Sequence, residues 1–461
     1  MMKDIIIAAI GKINSGTGPK VADWRLIGTK ISRGERYFVR TSAELTRAVD
    51  EIQYSLTVYV DAKVSGKKVR GDATVSIQPS HGEAEIEAKI LQAVFAASKS
   101  KNAWFDLPGP SAPKVILPAS GFDGMDEQSR MKSVRDALYA PEAEIAATSA
   151  GAATEPDSAA GLPRINALEI FLSREDKTFA NSKGQEFRTS TWHGYSEFVV
   201  EADSRKGMVE LFDDIEFSDP DAGRLSEATR SRLVQVGDRA LAVPMGAIKE
   251  LPVILSGREA EEVFAWFFGN STTSAIFTKS SSFVQGANVQ QTEGSGRVED
   301  PLDLWAEPFI KGLPASSAFD ADGFPLERSA VIEGGYLQTL VGAISYADWL
   351  GVERKGSFPL FSVSPGSMSM ADMFAKPHLA PVMFSDFRLD SVTGDFGAEI
   401  RLAYWFDGKK RIPVTGGSIS GSVSELRSTM RRSSERALAS RSLCPKALLL
   451  NGVSITGAAF L

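Results

Sequence analysis

The sequence predicts an α+β protein. An N-terminal α/β module, a hairpin plus a helix, is followed by a larger C-terminal domain built on a curled or barrel-like antiparallel sheet. Three observations point there. Short runs with period-two apolar alternation recur through the second half, separated by turns at Asp322-Gly323, Glu333-Gly334-Gly335 and Asp407-Gly408, a spacing that suits hairpins more than βαβ units. Helical periodicity is restricted to a few segments such as Ile86, Ile90, Val94 and Ala97. No repeat of fixed period is present.

In chain order, Tyr54, Leu56, Val58 and Val60 share one strand face, and Val69, Gly71, Ala73, Val75 and Ile77 share the next, with Ser65-Gly66 turning the chain between them. Ser80-His-Gly-Glu83 reads as a capping box for the helix behind it. Residues 1–115 therefore form the expected N-terminal domain. A middle region, 116–245, contains an Ala/Ser/Thr/Gly/Pro-rich stretch near 140–163 that reads as a linker or long surface loop. Within it, Leu168, Ile170 and Leu172 alternate, Phe179 to Gly184 turns the chain into a strand ending at Val200, and Leu225 to Leu241 reads as a helix. The C-terminal β-rich domain spans 246–461. In it, Ala398, Ile400, Leu402, Tyr404 and Phe406 alternate with Glu399, Arg401, Ala403 and Trp405, Asp407-Gly408 supplies a tight turn, and Ile412 to Thr415 return. Ser422-Val-Ser-Glu425 reads as a capping box opening a last long helix.

Composition excludes several classes. A length of 461 residues with 43% hydrophobic and 24% charged residues is that of a globular protein with two or three domains. A net charge of −7 argues against a general nucleic-acid or membrane-surface binder. One cysteine, Cys444, leaves no internal disulfide framework and suits a reducing compartment. The apolar run Ile5 to Ile10 is short for a signal peptide core, and no stretch approaches the roughly 20 apolar residues a bilayer needs. The expected location is cytoplasmic, with no membrane and no nucleic-acid partner.

Five segments in order carry a resemblance. They are Asn181-Ser-Lys-Gly184, Asp322-Gly-Phe-Pro-Leu-Glu-Arg-Ser-Ala-Val-Ile-Glu333-Gly-Gly-Tyr-Leu337, Leu389-Asp-Ser-Val-Thr-Gly-Asp-Phe396, the hairpin with its Pro413-Val-Thr-Gly-Gly-Ser-Ile-Ser-Gly421 exit, and Lys446-Ala-Leu-Leu-Leu-Asn-Gly-Val-Ser-Ile-Thr-Gly457. The set resembles the TldD/PmbA metallopeptidase family, also known as modulators of DNA gyrase, over about residues 165–461. The resemblance implies one of two subunit types: a zinc protease, or a partner without the zinc site.

A zinc hydrolase needs two histidines one helical turn apart with a glutamate as base. His81, His193 and His378 are each more than a hundred residues apart. The helix where the family's pair would lie reads Ser256 to Phe268, and its Val263, Phe264, Trp266 and Phe267 are core-formers. Glu259, Glu261 and Glu262 read as a solvated helix start, and Cys444 as a small apolar residue or incidental thiol. The chain therefore resembles the PmbA (TldE) type, lacking the HExxxH motif. That resemblance implies no metal or cofactor in this chain, zinc only in a TldD-type partner, and a role in degrading unfolded peptides or processing leader peptides. The expected partners are a TldD-type subunit, or itself as a homodimer, and an extended peptide.

Other motifs are weak. Ser-x-x-Lys tetrapeptides at Ser65, Ser98 and Ser111 fall in turn-like or lysine-rich sequence. Asp320-Ala-Asp322-Gly323 lacks the rest of a calcium loop and reads as a turn. Arg427, Arg431, Arg432, Arg436 and Arg441 read as a solvated basic face or a subunit interface. Trp266, Phe267, Phe268, Trp305 and Phe309 read as core or dimer interface. Gly416, Gly417 and Ser418 form a candidate edge for docking an extended peptide, the alternative being a bend at a sheet corner. An autonomous metal-independent peptidase and a binding module without a protease partner are the competing readings, and catalytic residues are not identified.

Overall fold

A computed structural model describes residues 2–151, 162–205, 207–246, 250–292, 294 and 296–457. The first half contains helix α1 (Met2–Ser15), strands β1 (Asp23–Val39), β2 (Ser42–Val64) and β3 (Lys67–Ile77), α2 (Glu83–Ala97), β4 (Asn102–Ala103), α3 (Glu127–Gly151), β5 (Arg164–Asn181), β6 (Glu186–Ser204), β7 (Gly207–Phe217) and α4 (Ala222–Ala240). The strands form one antiparallel sheet in the order β4-β3-β2-β1-β5-β6-β7. This sheet runs through both the 1–115 and the 116–245 regions, because β1 pairs with β2 on one side and β5 on the other.

Two cores line the sheet. Ile6, Ile10 and Ile13 of α1 and Ile86, Ile90 and Val94 of α2 recur at helical spacing and are buried with Leu56, Val58 and Ile77. Val134 and Leu138 of α3 and Leu225, Leu233 and Val236 of α4 close over Leu168, Ile170, Phe198 and Val200. Gly71 is required where β3 meets the end of α2, since a Cβ there would lie 1.9 Å from the Ala97 carbonyl oxygen. The cap of α2 is two positions later than the sequence suggests: Gly82, not Ser80, is the N-cap, and Glu85, not Glu83, accepts from its amide at 2.9 Å. Residues 140–151, read as linker, continue α3 through Pro141; residues 152–161 of that stretch lie outside the described residues.

The second half contains β8 (Val243–Pro244), β9 (Val253–Ser256), α5 (Gly257–Asn270), α6 (Thr273–Phe277), β10 (Leu304–Glu307), β11 (Ser329–Glu333), β12 (Tyr336–Leu337), α7 (Ile344–Leu350), β13 (Leu360–Val363), α8 (Met370–Phe374), β14 (His378–Leu389), β15 (Asp395–Phe406), β16 (Arg411–Thr415), β17 (Ser418–Ser422), α9 (Val423–Leu426), β18 (Arg431–Arg432), β19 (Arg436–Leu438), β20 (Ser442–Pro445), β21 (Ala447–Leu450) and β22 (Ser454–Thr456). One sheet runs β12-β11-β10-β13-β20-β19 and the other β18-β21-β9-β14-β15-β16-β8, with β17 joined to β15 and β22 to β17. Pairing is mostly antiparallel, and neither strand order closes into a barrel among the described residues.

Helix α5 is the centre of this half. Ala260, Val263, Phe264, Trp266, Phe267 and Phe268 are buried among Leu304, Val331 and Phe361 of one sheet and Leu379, Ile400 and Leu448 of the other. A helix apolar on nearly every side belongs inside a core. The long helix expected after Ser422 is only the four residues of α9, and the Ser422 side chain makes no cap. The Arg/Ser-rich chain beyond it has no apolar period to hold a helix. Tertiary pairing takes it instead, with Arg432 buried against Asp300.

Candidate functional site

A cleft of about 840 Å³ opens between the two halves. Its walls are β7 with α4 on one side, and on the other the start of α5, the 382–387 stretch of β14 and the 437–440 loop. β7 ends the first sheet and pairs only with β6 among the described residues, so its outer backbone edge faces this region. Opposite it, the β14–β15 register shifts at Pro381/Met383, Met383/Phe384 and Phe384/Asp386. Such bulges re-aim side chains beside functional sites.

Charges in the cleft are largely paired. Arg232 donates to Asp213 at 2.7 Å and Arg258 to Asp214 at 2.8 Å. Arg224 donates to the carbonyls of Gly312 at 3.1 Å and Ala439 at 3.5 Å, and burial holds its guanidinium below its ordinary pKa. Glu259, on the first turn of α5, has no ion pair among the described residues, and burial raises its carboxyl pKa. Perturbed groups in a concave site mark functional candidates.

Behind the cleft, Glu261 is only 3% exposed, which corrects its reading as part of a solvated helix start; Glu262 alone of the three glutamates is exposed. Glu261 accepts from the amides of Ser440 (3.0 Å) and Arg441 (2.8 Å) and from the Ser442 hydroxyl (2.7 Å). The sequence signal that was available is the three-residue step from Glu261 to Phe264, which places the carboxylate on a core-facing row. Cys444 lies close to this carboxylate, buried, with its thiol pushed up to about 12 chiefly by burial.

These residues do not fit a catalytic zinc. Glu261 has both oxygens engaged, the Cys444 thiol resists ionisation, and α5 turns aromatic and aliphatic groups toward the core. The histidines stay apart: His81 caps a turn by accepting from the Gln78 amide, His193 is exposed on β6 beside Glu216, and His378 is buried against the Lys376 carbonyl. Among the described residues no three His, Cys, Asp or Glu side chains are grouped to hold a metal.

The remaining candidates resolve as follows. Gly416 and Gly417 both have positive φ, and a Cβ on Gly417 would lie 2.4 Å from the Thr456 carbonyl oxygen. The strand beginning at Ser418 is paired on both sides, by β15 and by β22. At Ser418 the candidate docking edge is therefore filled by the chain's own strand, and an open edge borders the cleft at β7. Ser65 is in a turn with φ 48°, Ser98 caps the C-terminus of α2, and the Ser111 amide donates to the Gln185 side-chain oxygen. Asp320 closes a turn by accepting from the amides of Asp322, Phe324 and Ser357. The arginines do not form a solvated helix face: Arg432 is buried, Arg431 pairs with Glu299, and Arg436 donates to the Val363 carbonyl. Trp266, Phe267 and Phe268 are core, whereas Trp305 and Phe309 are half-buried.

Comparison with known proteins places this geometry. No curated protein sequence matches the chain. Its fold matches TldE from Thermococcus kodakarensis, with a TM-score of 0.73 and 14% identity over 99% of this chain and 100% of that one. Proteins described as candidate modulators of DNA gyrase match similarly. The one from Thermotoga maritima gives a TM-score of 0.75 at 13% identity, covering 99% and 100%. That from Bacteroides thetaiotaomicron gives 0.72 at 16%, covering 99% of each. Residues 248–457, holding α5, most of both C-terminal sheets and one wall of the cleft, match the family described as the PmbA/TldA metallopeptidase C-terminal domain.

Proposed function

We propose that this chain is a TldE-like subunit that holds an extended peptide and presents it to a TldD-type zinc protease, without cutting it alone. The observation that supports this most is the cleft. It lies along the open edge of β7 and reaches the start of α5, and its lining offers carboxylate and arginine side chains but no histidine or cysteine. An extended backbone pairs with an open strand edge whatever its sequence, and pockets on alternate side chains then set preference. Partners are a TldD-type subunit or, in isolation, a second copy of the chain. No helix among the described residues is long and apolar enough to cross a membrane, and the working compartment in this reading is the cytoplasm.

Affinity capture from the native cell tests the partnership: recovery of a chain with the two-histidine helix supports it, and recovery of none favours an independent binding module. Peptide hydrolysis by the purified chain, with zinc and with chelator, tests the division of labour. Cleavage that survives chelation would replace this reading with a metal-independent peptidase, for which Glu259 and its raised carboxyl pKa are the feature in favour.

A further inference from the structure

We infer that the cleft selects peptides bearing a cationic side chain, and that Glu259 is the residue that receives it. The inference rests on the peptide-holding reading above and adds a chemical preference to it. Four groups, Asp213, Arg232, Asp214 and Arg258, neutralise one another in two pairs. Arg224 is fixed by two carbonyls, with Asp221 and Glu216 near enough to offset its charge. Glu259 is what remains: a carboxylate on the cleft wall with no ion pair among the described residues. Burial reduces its hydration, and its own amide and the charges of Arg232 and Arg258, neither of which forms an ion pair with it, offset that only in part.

An ammonium or guanidinium group on a peptide supplies a direct ion-pair partner, and the low local dielectric strengthens the contact relative to water. A carboxylate on the peptide meets the opposite situation, since Glu259 and Asp386 both line the cleft. A strand laid along β7 presents alternate side chains to one face, so a single cationic position suffices.

The test is fluorescence anisotropy with the full chain and three labelled, end-blocked heptapeptides of alternating Ala and Val, with Lys, norleucine or Glu at the centre. The expected order of affinity is Lys over norleucine over Glu, with about tenfold between Lys and norleucine for one partly buried pair. Glu259→Gln brings the Lys and norleucine peptides within twofold, and a circular dichroism spectrum and melt matching wild type show that the variant is folded. Glu262→Gln, on the exposed side of the same helix, changes nothing. Equal binding of all three peptides, or a Lys preference that survives Glu259→Gln, overturns the charge preference alone. Failure of all three to bind overturns the peptide-holding reading with it.

Discussion

Replacing Glu261 with Gln is the perturbation that best separates a structural carboxylate from a displaced catalytic one. Gln keeps the volume, removes the charge and turns one acceptor oxygen into a donor. Oε1 accepts from Arg441 and Ser442, and Oε2 from Ser440. A Gln oriented to keep the first two bonds places its NH₂ against the Ser440 amide. One charge-assisted bond, worth about 1.5–3 kcal/mol, is then lost and two are weakened. The expected cost is about 2–4 kcal/mol, toward the lower end because Ser440 borders the cleft and water can reach its amide. A chain with several cores does not unfold in one step, so local amide exchange is the suitable assay. The amides of Ser440 and Arg441 exchange about 30-fold faster or more in the variant, while those of β15 are unchanged. Wild-type protection at both amides would refute the assignment of Glu261 as the clamp of this loop.

Three further outcomes are expected. Arg432→Met leaves Asp300 charged, buried and without its guanidinium, which bonds it at 2.9 and 3.1 Å; amide exchange across the β18–β21 pair should show opening made easier by about 3–5 kcal/mol, much of it recovered when Asp300→Leu is added. Gly417→Ala forces a side chain onto φ 84° and toward Met245 and Thr456, costing about 2 kcal/mol or more in thermal melts. Asp320 has its carboxyl pushed up to about 6 by burial, with Asp322 adding to the shift. The folded state therefore binds a proton that the unfolded state has released. This contribution to stability is complete below about pH 4 and is lost as pH rises through 6, by at most about 3 kcal/mol. Melts between pH 4 and 7 should show the slope, and Asp320→Asn should remove it.

Long alternating segments were readable from the sequence: β2, β3, β5, β6 and the β15–β16 hairpin are where period two places them, and α2 and α4 where period 3.6 does. Local pattern failed where distant partners decide. The residues after Ser422 resemble a capped helix, yet the Arg432–Asp300 pair, which joins positions 132 residues apart, draws them into short strands. Composition at 140–151 suggested a linker, but alanine and glutamate favour helix, and α3 continues. The candidate edge at Gly416, Gly417 and Ser418 was read from small residues alone, which say nothing about the β22 strand that covers it. The cleft was not legible either. Glu259 and Arg224 have no motif, and their significance arises from β7, α4 and α5 meeting in space.

The account depends most on α5 and Cys444 being unable to hold a catalytic ion, which metal analysis of the purified chain addresses directly. Elemental analysis after dialysis against trace zinc should find far less than one zinc per chain. One tightly held zinc per chain, lost on changing Glu261 or Cys444, would contradict it.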